Sequence, residues 1–106
     1  MVTPNGQSDS IILSNIFQKE IAITGTLPVL RKEMVAWIEA NGGRYHDRVR
    51  WATDILIVGE LPGFITRKLA RALELNAKGY GIIILDGAVL YAEIGQYGNA
   101  VDDTAV

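Results

Sequence analysis

Ile21-Ala22-Ile23-Thr24-Gly25-Thr26-Leu27-Pro28 runs a short apolar strand into a glycine stop and then into the start of a helix. The helix that follows carries Leu30, Met34, Trp37 and Ile38 at i, i+4, i+7 and i+8, which places them on one face. Asn41-Gly42-Gly43 ends it with residues that tolerate positive φ, and Arg44 to Val49 reads as a short, more polar, exposed strand. Ile55-Leu56-Ile57-Val58 is a second continuous apolar strand, stopped by Gly59. A second helix presents Ile65, Leu69, Ala72 and Leu73 on one stripe, with Thr66 as its cap. Ile82 to Leu85 is the last strand, and Asp86 caps a final helix through Val89, Leu90 and Ile94 that Gly95 ends. The order is β-α-β-β-α-β-α. Uniformly apolar strands alternating with amphipathic helices predict an α/β domain, a four-stranded parallel sheet flanked by three helices. Such a sheet is covered on both faces, crosses over right-handedly, and binds ligands beyond the carboxyl ends of its strands.

The chain has 106 residues, 49% of them hydrophobic, which suffices for one core and is too short for two ordinary domains. The aliphatic residues concentrate between Ile21 and Ile94. Residues 1–17 are therefore expected to form a polar N-terminal tail, 18–95 the folded domain and 96–106 a flexible C-terminal tail. The absence of cysteine excludes disulfides, thiolate metal sites and a cysteine nucleophile. No apolar run approaches the roughly 20 residues of a membrane span, and the N-terminus lacks the layout of a signal peptide. No membrane association is expected, and the location is cytoplasmic, or nuclear in a eukaryote. The net charge of −2 hides an asymmetry: nine of the ten Lys and Arg lie between Arg31 and Lys78 with six acids, making that segment +3 and the remainder −5. A mildly basic middle suits contact with phosphates, or equally a solvated helix face.

Taken in order, Ile23-Thr24-Gly25-Thr26-Leu27-Pro28, then Gly42-Gly43, then Thr53-Asp54-Ile55-Leu56-Ile57-Val58-Gly59 resembles a BRCT domain, over roughly Gln18 to Ile94. The sequence is most similar to the BRCT domains of bacterial NAD-dependent DNA ligases and of the replication factor C large subunit. The resemblance implies the BRCT fold and a non-catalytic binding module of DNA replication and repair, with no cofactor and no metal. It also implies a phosphate pocket after the first strand and at the start of the second helix, positions that Thr24, Gly25 and Lys68 match. Thr66-Arg67-Lys68 is similar to the Thr-x-Lys pattern of phosphopeptide-binding members, in which the threonine orients the lysine and caps the helix. Arg31 resembles the basic residue that opens the first helix in members that bind DNA ends. The chain is one residue shorter before that point, so Lys32 competes with Arg31 for the position.

The chemistry of these residues supports the same site independently. A threonine hydroxyl and a backbone N–H at a strand end, joined by a lysine near a helix N-terminus, offer two neutral donors, a cation and a favourable dipole to one anion. Alternatively, Thr24 and Gly25 only make the strand-to-helix turn and Lys68 is an exposed helical lysine. Arg71 lies within a turn of Lys68 and extends the site along a nucleic-acid backbone, or is merely solvated. The expected ligand is a 5′-phosphorylated DNA end or DNA backbone. The alternative is a protein partner, either a phosphorylated protein read by the same pocket or a second copy in a BRCT–BRCT homodimer through helix faces. Members that bind phosphopeptides well commonly use two packed repeats, and this chain has room for one.

Several residues depart from the family pattern or invite other chemistry. The third helix offers Val89, Leu90 and Tyr91 where many members carry a core Trp, and Asn76 to Gly81 is longer than the ligase-type turn. Trp51 stands where a small or basic residue is common; partial burial is expected, and exposure would make it a candidate partner contact. His46, the one histidine, has no second imidazole or thiol to build a metal site with and reads as a surface residue. Asp47 and Asp54 lack the pocket that an acid–base pair needs. Gly79-Tyr80-Gly81 precedes a strand, whereas a dinucleotide fingerprint follows one. A flavodoxin-like enzyme would need five strands and an acidic or Gly-rich site, and Thr104-Ala105-Val106 carries no weight as a terminal motif.

Overall fold

Strands with continuous apolar runs must be covered on both faces, and β1 (Glu20–Thr24), with Ile21 to Ile23, and β3 (Ile55–Val58) sit side by side at the centre of the sheet. The computed structural model describes residues 16–94. Around the central pair run α1 (Arg31–Ala40), β2 (Arg44–Tyr45), α2 (Arg67–Ala77), β4 (Ile83–Asp86) and a last helix, α3, over residues 87–94. The strand order is β2-β1-β3-β4 and every pair is parallel, with Ile21 opposite Ile55 and Ile55 opposite Ile83. This is the four-stranded α/β arrangement with three helices that the sequence predicts.

Alternation along the central strands divides their side chains between two cores. Ile21, Ile23, Ile55 and Ile57 face one side and pack with Ile16, Met34, Ile38 and Leu90, which come from the start of the described chain, α1 and α3. Ala22 and Leu56 face the other side and pack with Val49, Ala72, Leu75 and Ile82. Three layers result, with α1 and α3 on one face and α2 on the other. Ile16, assigned by composition to the N-terminal tail, is only 2% exposed. An isoleucine has enough apolar surface to join a core even when its neighbours in sequence are polar. The expected C-terminal tail, residues 96–106, lies outside the described residues.

Several local expectations shift. The polar strand expected over Arg44 to Val49 stops at Tyr45, because Val49 turns under to reach the α2-side core. In α2 the buried positions are Ala72 and Leu75 with Leu69 beside them, whereas Ile65 and Leu73 are exposed. The reason is the cap: Thr66 starts the helix at Arg67, so Ile65 precedes it and the buried phase becomes 69, 72, 75. Leu30 likewise precedes α1 as its N-cap residue and is exposed. Strand β4 was expected to be covered on both faces, yet Ile83 and Ile84 are exposed, as its place at the edge of the sheet allows. The long connection before it is tied by Asn76, whose amide donates to the Ile82 carbonyl and accepts the Ile82 N–H. Asp86 does cap the last helix, accepting from the N–H groups of Ala88 and Val89. Trp51, expected to be partly buried, is 68% exposed.

Candidate functional site

Because β2 has only two residues, it covers the outer edge of β1 at Glu20 and Ile21 and leaves the rest of that edge bare. The last strand bond on this side is donated by the His46 N–H to the Ile21 carbonyl. The next carbonyl along, that of Ile23, would be an unsatisfied buried acceptor. Two cations satisfy it: Lys68 Nζ donates at 2.8 Å and Arg31 Nη1 at 2.9 Å. Arg31 reaches the Gly25 carbonyl as well, through Nη2 at 3.0 Å. A helix-first-turn lysine and a helix-opening arginine, far apart in sequence, therefore meet at the carboxyl end of β1.

The neutral donors lie in the same place. Thr24, 5% exposed, has its hydroxyl 2.7 Å from the hydroxyl of Thr66, and Thr66 Oγ1 accepts the Leu69 N–H that opens α2. When Thr66 donates to Thr24, the hydroxyl hydrogen of Thr24 is left for a further acceptor. Among the described residues nothing accepts the Gly25 N–H. Gly25 cannot be replaced freely, since its φ is +83° and an added Cβ would lie 2.9 Å from the Gly59 and Glu60 carbonyl oxygens. That crowding arises where the chain after β1 and the chain after β3 exchange N–H···O bonds between Thr26 and Glu60.

The electrostatics follow from this packing. Burial, and then the nearby charge of Arg31, lowers the Lys68 pKa from its ordinary value, while Asp47 opposes the shift. Two adjacent cations with one partial counter-charge gain by receiving an anion. Of the residues singled out in the sequence, the structure brings together Thr24, Gly25, Arg31, Thr66 and Lys68. Lys32, the other candidate for the Arg31 position, is exposed on α1 and makes none of these contacts. Arg71 stays apart from them: it pairs with Glu74 at 3.1 Å on the exposed side of α2.

Two features escape sequence reasoning. The carbonyl of Ile23 organises both cations, and only the length of β2 reveals that it is open. At the other end of the sheet, Glu20 is buried and gripped by Arg50 through Nε at 3.1 Å and Nη2 at 2.7 Å, with His46 Nε2 at 3.5 Å. The Arg50 hydrogen bonds, helped by the charges of His46 and Arg44 and opposed by burial, hold the Glu20 carboxyl below its usual range. No spacing rule links residues so far apart in the chain. Asp54 forms no carboxylate pair; its Oδ2 accepts the Glu20 N–H at 2.8 Å. Among the described residues no cluster of His, Asp and Glu could hold a metal ion, and no helix is long and apolar enough to cross a membrane.

Comparison with known proteins agrees with this architecture. The DNA ligase of Roseiflexus sp. (strain RS-1) is 43% identical over 88 residues, covering 82% of this chain and 11% of the ligase. That of Roseiflexus castenholzii is 47% identical over 78 residues, 73% of this chain and 10% of the ligase. That of Chloroflexus aurantiacus is 39% identical over 93 residues, 87% of this chain and 11% of the ligase. The chain thus spans about a tenth of the length of the relatives it matches. The model of the BRCA1 C Terminus (BRCT) domain matches residues 14–86, the span that carries β1 to β4 and both cations of the cluster. This chain belongs to the BRCT domain family.

Proposed function

We propose that this domain is a non-catalytic phosphate reader of DNA replication and repair, whose ligand is a 5′-phosphorylated DNA end or a DNA backbone phosphate. The observation that carries this reading is the meeting of Lys68 and Arg31 on the bare outer edge of β1, beside the Gly25 N–H and the Thr24 hydroxyl. Lys68 and Arg31 supply charge, the Gly25 N–H and the Thr24 hydroxyl supply direction, and Thr66 holds both Thr24 and the first turn of α2 in place. The resemblance to ligase modules supports DNA as the source of the phosphate. Arg67, exposed at the start of the same helix, adds to the positive charge there, whereas Arg71 is paired with Glu74 and is left out of this reading. In this reading the domain contributes binding, and catalysis belongs to whatever larger machine it serves.

The test is an NMR titration of labelled protein with a short duplex bearing a 5′-phosphate, beside the same duplex without it. The amides of Thr24, Gly25 and Lys68 are expected to shift with the phosphorylated duplex alone. If they respond equally to both, end reading fails; if neither duplex moves them, DNA is not the ligand.

A protein ligand is the second reading. It is favoured by a groove of about 620 Å³ that begins at Thr26 and Leu27, next to Gly25, and continues over Val58, Leu61 and Ile84. Its apolar floor and its carboxylates, Glu60 and Asp86, suit a peptide chain better than a second phosphate. A phosphopeptide would place its phosphate on the Lys68 cluster and an apolar side chain in this groove, and would shift the amides of Val58 and Ile84 as well.

A further inference from the structure

The four lysines of the chain stand in different surroundings. Lys19 and Lys32 are exposed, and Lys78 is exposed beside Glu74, its Nζ 3.7 Å from Oε2. Lys68 is half-buried in the first turn of α2, where its Nζ donates to the Ile23 carbonyl at 2.8 Å. The Arg31 guanidinium is bonded to that same carbonyl and to the Gly25 carbonyl, so an amine and a fixed cation share one oxygen. Burial and the charge of Arg31 disfavour the ammonium form of Lys68, against the opposing pull of Asp47. An unprotonated amine is a nucleophile, and desolvation beside a second cation is what activates a lysine for attack on a carbonyl carbon.

What such an amine meets depends on the groups around it. In the phosphate-binding reading, on which this step rests, Arg31, the Gly25 N–H and the Thr24 hydroxyl hold a phosphate group in contact with Nζ. A phosphate ester of DNA offers the amine no acylating carbon. A mixed anhydride of a carboxylic acid and phosphoric acid does, because its carbonyl carbon lies one bond beyond the bridging oxygen. An amine in contact with the phosphate is then within the roughly 3–3.5 Å of a near-attack geometry.

We infer that Lys68 is a site of acylation by small acyl phosphates, which the phosphate cluster binds and orients toward Nζ. The Nζ lone pair attacks the carbonyl carbon, the bond from that carbon to the bridging oxygen breaks, and its electron pair leaves on the phosphate. The phosphate takes up the proton that the nitrogen loses, so the products are an Nζ-acyl-lysine and hydrogen phosphate. Arg31 and the Gly25 N–H stabilise the charge that the departing phosphate gains. The adduct removes the ammonium and puts an acyl group where a DNA phosphate would bind, while Arg31 keeps the Ile23 carbonyl satisfied. Acylation thereby turns phosphate binding off and leaves the fold standing.

The protein is incubated with acetyl phosphate, and each lysine is followed by peptide mass spectrometry. Lys68 is expected to be acetylated at least about tenfold faster than Lys19, Lys32 or Lys78, the effect of holding the reagent beside it. The N-hydroxysuccinimide ester of acetic acid, which has no phosphate, should show no such preference and reports the reactivity of each amine by itself. Excess inorganic phosphate should protect Lys68 from acetyl phosphate alone. Arg31→Met, in a folded protein, should bring the acetyl phosphate rate at Lys68 down to that of the other lysines. The amides of Thr24 and Gly25 are followed by NMR as inorganic phosphate is added. If they shift and Lys68 reacts no faster than the other lysines, the acylation is overturned and the phosphate site stands; if they stay still and Lys68 shows no preference, both fall. A Lys68 that leads equally with both reagents also overturns the inference, since its selectivity then does not come from the phosphate.

Discussion

Replacing Lys68 by methionine takes the ammonium away from the β1 edge and keeps a stem of similar shape. Lys68 Nζ donates to the Ile23 carbonyl at 2.8 Å, but Arg31 Nη1 reaches the same oxygen at 2.9 Å, so the carbonyl keeps a donor when the ammonium is gone. A net hydrogen bond of this kind contributes about 1 kcal/mol. Burial and the positive charge of Arg31 already oppose the charged form of Lys68, so methionine relieves part of that loss. Stability should therefore change by less than about 1 kcal/mol, a few degrees in Tm at most for a domain of this size. Phosphate binding should change far more, because a hydrogen bond to a charged group contributes about 1.5–3 kcal/mol, or roughly tenfold to a hundredfold in affinity. The assay is anisotropy of a labelled duplex with and without a 5′-phosphate, with the ratio of the two Kd values as the readout and a thermal melt as the control. In the wild type the phosphorylated duplex binds more tightly, and in the variant the ratio falls toward unity. A ratio that survives the substitution in a folded protein refutes the reasoning.

Thr66→Ala removes both the acceptor of the Leu69 N–H and the partner of the Thr24 hydroxyl, and should cost about 1 kcal/mol in denaturant unfolding; Thr66→Ser, which keeps the oxygen, should recover most of it. Gly25→Ala puts a Cβ at φ +83° and 2.9 Å from backbone oxygens, so a loss of at least about 1–2 kcal/mol is expected, with a lowered Tm and weaker phosphate discrimination as the amide moves. The Glu20 carboxyl has a lowered pKa in the folded chain, so the unfolded chain takes up that proton first. Its contribution to stability is complete above the ordinary value of 4.5 and is lost as the pH falls through the lowered folded value; Glu20→Gln should flatten the acid limb of a urea-stability profile, and an unaltered limb would count against the Arg50 grip. Ile57→Ala, at a fully buried position in the central strand, should cost about 2–5 kcal/mol in the same unfolding measurement.

The order of elements, the parallel sheet and the two helix caps at Thr66 and Asp86 were all legible in the sequence. Those features follow from local rules: apolar runs too uniform for a half-exposed strand, glycines that stop them, and short polar side chains that accept helix N–H groups. The resemblance to the BRCT family singled out Thr24, Gly25, Arg31 and Lys68, and for Thr24, Gly25 and Lys68 the chemistry of a strand end beside a helix start gave independent support. The lengths and phases that depend on distant partners were not legible in the sequence, because packing sets them. Val49 leaves the β2 edge early to fill the α2-side core, and that one packing choice leaves the Ile23 carbonyl without a strand partner, so that Lys68 and Arg31 converge on it. Likewise Ile16 joins the core, Ile83 and Ile84 stay exposed at the edge, and Trp51 is held in solvent by a bond from Arg50 to a glutamate thirty residues earlier. Burial is a property of the assembled layers, and a side chain's hydrophobicity states only how much it would gain by being covered, not whether anything arrives to cover it.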